Sequence, residues 1–158
     1  MPDYRAFLRI RHPSIDPAEI SEALGLEAEH AWAAGSARTA AGGGRARSAH
    51  PDTFWIAELT RPGWERATFL AGLRAPGRAG EGARLPLELF LFAQLRQLQG
   101  KGEFLRRLAA EGGELVLQVA LPAMPEFCLE LGPGLLRSAG DLGLGLSLES
   151  GAELDAGD

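Results

Sequence analysis

The chain has 158 residues, near the usual size of one domain of roughly 100 to 150 residues. Its 46% hydrophobic and 23% charged content excludes a disordered or fibrous protein. A net charge of −5 argues against a nucleic-acid binder, and Cys128, the single cysteine, excludes an internal disulfide or a CxxC zinc or redox site. The charge is uneven: residues 1–80 carry ten arginines against nine acids, and residues 81–158 carry five arginines and one lysine against twelve acids. A basic patch therefore belongs in the first half.

MPDYRAFLRIRHP scatters charge through its length, which predicts no secretory signal, and no stretch reaches the roughly 20 apolar residues that span a bilayer. The expected setting is the cytoplasm, without membrane. In YRAFLRIR, Ala6, Leu8 and Ile10 point one way and Arg5, Phe7, Arg9 and Arg11 the other, the pattern of a half-buried strand. SIDPAEISEALGL follows. Asp16 suits a helix cap, Pro17 the first helical position, Glu19 a capping box, Ile15 and Ile20 a hydrophobic staple, and Gly25 a left-handed stop.

Strands are expected over residues 30–34 and 53–59. Between them Arg38, Arg45 and Arg47 flank Gly42, Gly43 and Gly44, with no acid from His30 to Pro51. The glycines predict a mobile loop over 35–52, and Trp32 and Trp55 are expected to anchor its two strands in the core. Residues 60–84 read as a long flexible connection rich in Gly, Pro, Arg and Ala. Leu87, Leu91, Leu95 and Leu98 mark an amphipathic helix entered through Pro86, and EFLRRLAAE a shorter one. ELVLQVALP and EFCLEL alternate and are joined by PAMP, so they are expected to pair antiparallel. A helix around LLRSAGDLG leads to a last strand, LGLSLES, and residues 150–158 form an acidic tail with the composition of disorder.

One α+β domain over residues 1–149 follows. A faint echo between residues 8–32 and 128–149 suggests a ferredoxin-like arrangement of split βαβ units, a mainly antiparallel sheet with helices on one face. The run from Tyr4 through the capped helix, Leu24-Gly25-Leu26, Trp32, Gly35, the Gly/Arg loop and Trp55 resembles the bacterial family known only as domain of unknown function 4279. The later helices and DLGLGLSLE extend the resemblance over most of residues 4–149. It implies a small bacterial α+β domain and carries no catalytic residues over.

The chemical patterns point to no cofactor and no metal. Gly42, Gly80, Gly100, Gly132 and Gly143 each begin GxG, yet none completes the dinucleotide motif GxGxxG. Glu27, Glu29 and His30 could share a metal only if the chain turned there, and a solvated cluster is the better reading. Cys128 has no histidine assigned to it and reads as a quiet thiol. Glu130 and Glu149 are expected on the arginine face, where cross-strand ion pairs contribute roughly 0.2 to 1 kcal/mol each.

The expected function is a non-enzymatic binding or protein-interaction module, immunity-type roles included. Its candidate binding residues are Arg5, Phe7, Arg9 and Arg11 on the sheet face and Arg38, Arg45 and Arg47 in the loop, with an acidic protein partner or self-association. Single-stranded nucleic acid needs exposed ring faces for stacking, and Phe7 is the one good candidate. The competing reading is a small hydrolase or transferase with His30, Arg38 or Glu58 at the mouth of the 35–52 loop.

Overall fold

The computed structural model describes residues 4–39, 45–60, 84–121 and 130–150. Residues 61–83 of the expected flexible connection at 60–84, Cys128, and residues 151–158 of the expected acidic tail at 150–158 fall outside them, and Ser150 itself ends a strand. In chain order the elements are β1 (Arg5–His12), α1 (Pro17–Leu24), β2 (His30–Trp32), β3 (Ala37–Thr39), β4 (Arg45–Ala49), β5 (Thr53–Glu58), α2 (Arg84–Gln99), α3 (Gly102–Ala110), β6 (Glu114–Leu121), α4 (Pro133–Asp141) and β7 (Leu144–Ser150). Five strands form one sheet in the order β2-β5-β1-β6-β7, and β3 and β4 form a separate two-stranded ribbon. The fold is mixed α+β.

All pairs in the main sheet are antiparallel except β6 with β7, which run parallel. A parallel pair requires a crossover, and α4 supplies it. The expected hairpin between β6 and EFCLEL is corrected by this pairing. Residues 114–120 of β6 bond to β1 on one side and residues 115–121 to β7 on the other, so both edges of β6 are occupied. Residues 122–129 are not described, and Glu130 and Leu131 lie outside any strand.

One apolar cluster joins a single face of the sheet to buried residues from all four helices. The sheet contributes Leu8, Ile10, Trp55, Leu117 and Val119. Ile20, Leu91, Leu105 and Leu135 represent the four helices. Trp55 is fully buried, and its indole N–H donates to Ser21 Oγ at 2.9 Å, so burial leaves no donor unpaired.

The first helix forms where its local signals place it. Asp16 accepts from the Ala18 N–H at 2.8 Å, and Gly25 takes the left-handed conformation, φ 64°. Glu19 does not close a capping box. Its carboxylate instead accepts from Arg107 on α3 at 3.1 Å, a tertiary contact in place of the local one.

His12 ends β1 as a buried joint. Its Nδ1 accepts from the backbone N–H groups of Ser14 and Ile15, at 3.1 and 2.9 Å. Nε2 therefore carries the ring hydrogen and donates to Glu111 Oε2 at 2.9 Å. One ring thus ties β1, the turn before α1 and the end of α3. Nearby, Thr53 Oγ1 donates to the Ile15 carbonyl at 2.6 Å and accepts from the Ala34 N–H at 3.0 Å, fixing the start of β5 against the same turn.

Candidate functional site

The face of the sheet opposite the core carries the candidate site. Pairing puts Arg9 opposite Ile56 and Val116, and Arg11 opposite Phe54 and Glu114, all on that face. β2 adds His30 opposite Ile56 and Trp32 opposite Phe54. Because directly paired residues project to the same side, Trp32 lies on the open face and Trp55 on the core face. The expectation that both tryptophans anchor the core is therefore correct for Trp55 and overturned for Trp32.

Trp32 stacks on Phe54 and on His50, each with ring centroids 4.5 Å apart and planes 19° from parallel. The Arg11 guanidinium lies over Phe54, 5.8 Å from its centroid. Half-buried rings of this kind carry no signal in the sequence beyond aromaticity. The spacing of Trp32 and Phe54 could identify them only once the register of β2 with β5 was known.

The arginines of β1 divide into two groups. Arg5 grips Glu58 with two bonds, Nε to Oε1 at 3.0 Å and Nη2 to Oε2 at 2.9 Å. Thr60 Oγ1 adds a third, donating to Glu58 at 2.8 Å. The Arg5 guanidinium beside Glu58 holds its carboxyl below the usual value, against the opposing effect of burial. Arg9 and Arg11 have no carboxylate within 4.0 Å among the described residues. Arg5 thus pairs with Glu58, an acid outside the expected set of Glu130 and Glu149. Glu149 does lie on this face, opposite Ala120.

Phe7 does not present an open ring. It is 4% exposed, and Arg5 lies over it at 5.1 Å, so it belongs to the packed floor of the face. Burial removes it as a stacking platform.

The stretch expected to be a mobile loop is folded at its base. Gly35, φ 81°, turns the chain, and its N–H donates to the His50 carbonyl at 2.8 Å. The His50 N–H donates to the Ser36 carbonyl at 2.9 Å. Beyond this join Ala37 pairs with Ala49 and Thr39 with Arg45, with a shift of register between them. Arg38 therefore lies on β3 and Arg45 and Arg47 on β4. The ribbon leaves the sheet beside Thr53, which pairs with His12, so it stands at the Arg11 end of β1 and away from Arg5 and Glu58.

His30 and Glu58 belong to the competing catalytic reading. The exposed ring of His30 has no hydrogen-bond partner among the described residues, and Glu58 is committed to Arg5 and Thr60. No three His, Cys, Asp or Glu side chains among the described residues converge on a metal-sized site, Glu27, Glu29 and His30 included. No described helix is long and apolar enough to cross a membrane.

No protein-family model, curated protein or solved structure matches the chain. Its own geometry is therefore what bears on function.

Proposed function

We propose that this chain is a non-enzymatic protein-interaction module that holds an acidic segment of a partner protein across the open face at its Arg11 end. The observation that carries this reading is the contrast along β1. Arg5 is neutralised by Glu58, whereas Arg9 and Arg11 face no described carboxylate within 4.0 Å. The ribbon bearing Arg38, Arg45 and Arg47 leaves the same end, so five arginines share one region of the fold. A partner carboxylate bound there gains charge-assisted, bidentate hydrogen bonds. Trp32, Phe54 and His50 supply a flat apolar wall beside it.

The order of pairing also favours the ferredoxin-like reading, with α4 and β7 added at one edge. β1 and β2 flank β5 with α1 between them in sequence, and β5 and β6 flank β1 with α2 and α3 between them. Membership of the bacterial domain of unknown function 4279 family stays a proposal resting on Leu24-Gly25-Leu26, Trp32, Gly35 and Trp55. A cytoplasmic setting accompanies it.

Two other readings have less support. Single-stranded RNA finds no free platform among the described residues of this face, because Phe7 is buried and Trp32 and Phe54 stack on protein rings. A hydrolase using Glu58 as a base conflicts with the bidentate grip that keeps this carboxylate ionised and occupied.

The test is fluorescence anisotropy of a labelled Glu/Asp-rich peptide at low salt, with Arg9→Ser plus Arg11→Ser as the variant and an RNA oligomer as competitor. Peptide binding lost in the double variant and untouched by RNA supports the module. Equal binding by both proteins, or no binding by either, sinks it.

A further inference from the structure

The second edge of the sheet suggests a different surface. β7 spans seven residues and pairs with β6 in unbroken register from Leu144 to Ser150. Among the described residues its outer side pairs with nothing. Natural edges are usually blunted by shortness, proline, lysine or a bulge. The opposite edge, β2, is blunted by its three-residue length. LGLSLES has none of these devices, and its one charge is Glu149.

We propose that β7 pairs antiparallel with β7 of a second copy, extending two five-stranded sheets into one of ten strands. A register centred on Ser147 places Leu146 against the second copy's Leu148 on the core face, where both side chains are only partly buried. It also sets Glu149 opposite Gly145, so no like charges meet. This register opposes all seven residues of β7, whereas one centred on either neighbouring residue opposes only five of them.

The helix layer gives a second, independent indication. α4 crosses from β6 to β7 and packs on β7, and its Leu136 is 50% exposed, one of two large apolar side chains left open to solvent among the described residues. A crossover helix lies above the pair it joins, about one strand spacing from the proposed twofold axis. With strands about 4.8 Å apart, the two α4 helices would then lie about 10 Å apart, the ordinary distance for packed helices. Gly140, one turn from Leu136, has nothing within 4 Å of the position a Cβ would take, leaving room for the partner helix. Arg137 and Asp141, both exposed and one turn apart, present opposite charges that an antiparallel helix pair can match.

Sedimentation equilibrium of the full chain tests the assembly. The expected result is a concentration-dependent dimer, weakened about tenfold or more by Leu136→Glu and by Ser147→Lys, with far-ultraviolet dichroism unchanged. Oxidative crosslinking tests the register in a Cys128→Ser background. Directly opposed strand residues lie about 4.5 to 5.5 Å apart between Cα atoms, within disulfide reach. Ser147→Cys should therefore link two copies, and Gly145→Cys should not. A monomer at every concentration, or a dimer insensitive to both surface variants, would overturn the proposal. Crosslinking through Gly145→Cys in preference to Ser147→Cys would overturn the register.

Discussion

Trp32 and Phe54 face one another across β2 and β5 with ring centroids 4.5 Å apart, on the side of the sheet away from the core. Trp55, next in sequence to Phe54, is fully buried on the other side. Trp32→Ala should therefore cost about 1 kcal/mol, the scale of an aromatic pair, whereas Trp55→Ala should cost about 3 to 5 kcal/mol as a core truncation. Urea unfolding of the two variants measures the difference. Equal losses would contradict the assignment of Trp32 to the open face.

The Arg5–Glu58 pair makes a pH prediction. Glu58 has its carboxyl held below the ordinary value by Arg5, so it contributes stability above its unfolded pKa and loses it as pH falls through the folded value. Glu58→Gln should lower stability at about pH 7 and flatten the fall toward about pH 3, leaving a smaller difference from wild type at the acid end. Because Arg5 is about half exposed, the effect should stay near or below about 1 kcal/mol. Urea midpoints across that range provide the check.

Gln94 lies wholly buried on α2, and neither of its side-chain polar atoms meets a hydrogen-bond partner among the described residues. An amide desolvated in this way costs about 1 to 3 kcal/mol. Gln94→Met keeps the unbranched shape and removes both polar groups, so it should raise stability by about 1 kcal/mol or more. A variant less stable than wild type would show that the amide contributes something its geometry does not display.

His12 joins three elements through one ring. His12→Leu fills much of the space and leaves the Ile15 N–H buried without an acceptor, which should cost about 2 kcal/mol. Hydrogen exchange should localise the damage to the turn before α1, and uniform loss of protection would indicate a global effect instead.

Much of the local structure was legible in the sequence because its causes are local. Asp16, Pro17 and Gly25 define α1 within ten residues, and the leucines at 87, 91, 95 and 98 select the buried face of α2 without reference to any other element. The inward alternation of Leu115, Leu117, Val119 and Leu121 likewise marks β6 as a strand. It carries no information about which neighbours that strand takes. EFCLEL alternates as well as β7 does and lies nearer in sequence, yet β1 and β7 occupy the two edges of β6.

The candidate site shows the same division. Alternation alone placed Arg5, Arg9 and Arg11 on the face away from the core, and the long run without acids marked residues 30–51 as basic. Only the tertiary structure decided that Arg5 forms an ion pair with Glu58 while Arg9 and Arg11 have no described carboxylate within 4.0 Å, and that Trp32 joins them. Pairing in a sheet is a competition among distant segments, settled by the summed burial of every side chain at once. A slip of one residue turns a whole strand over, so what faces the core and what faces a partner is determined by the tertiary structure.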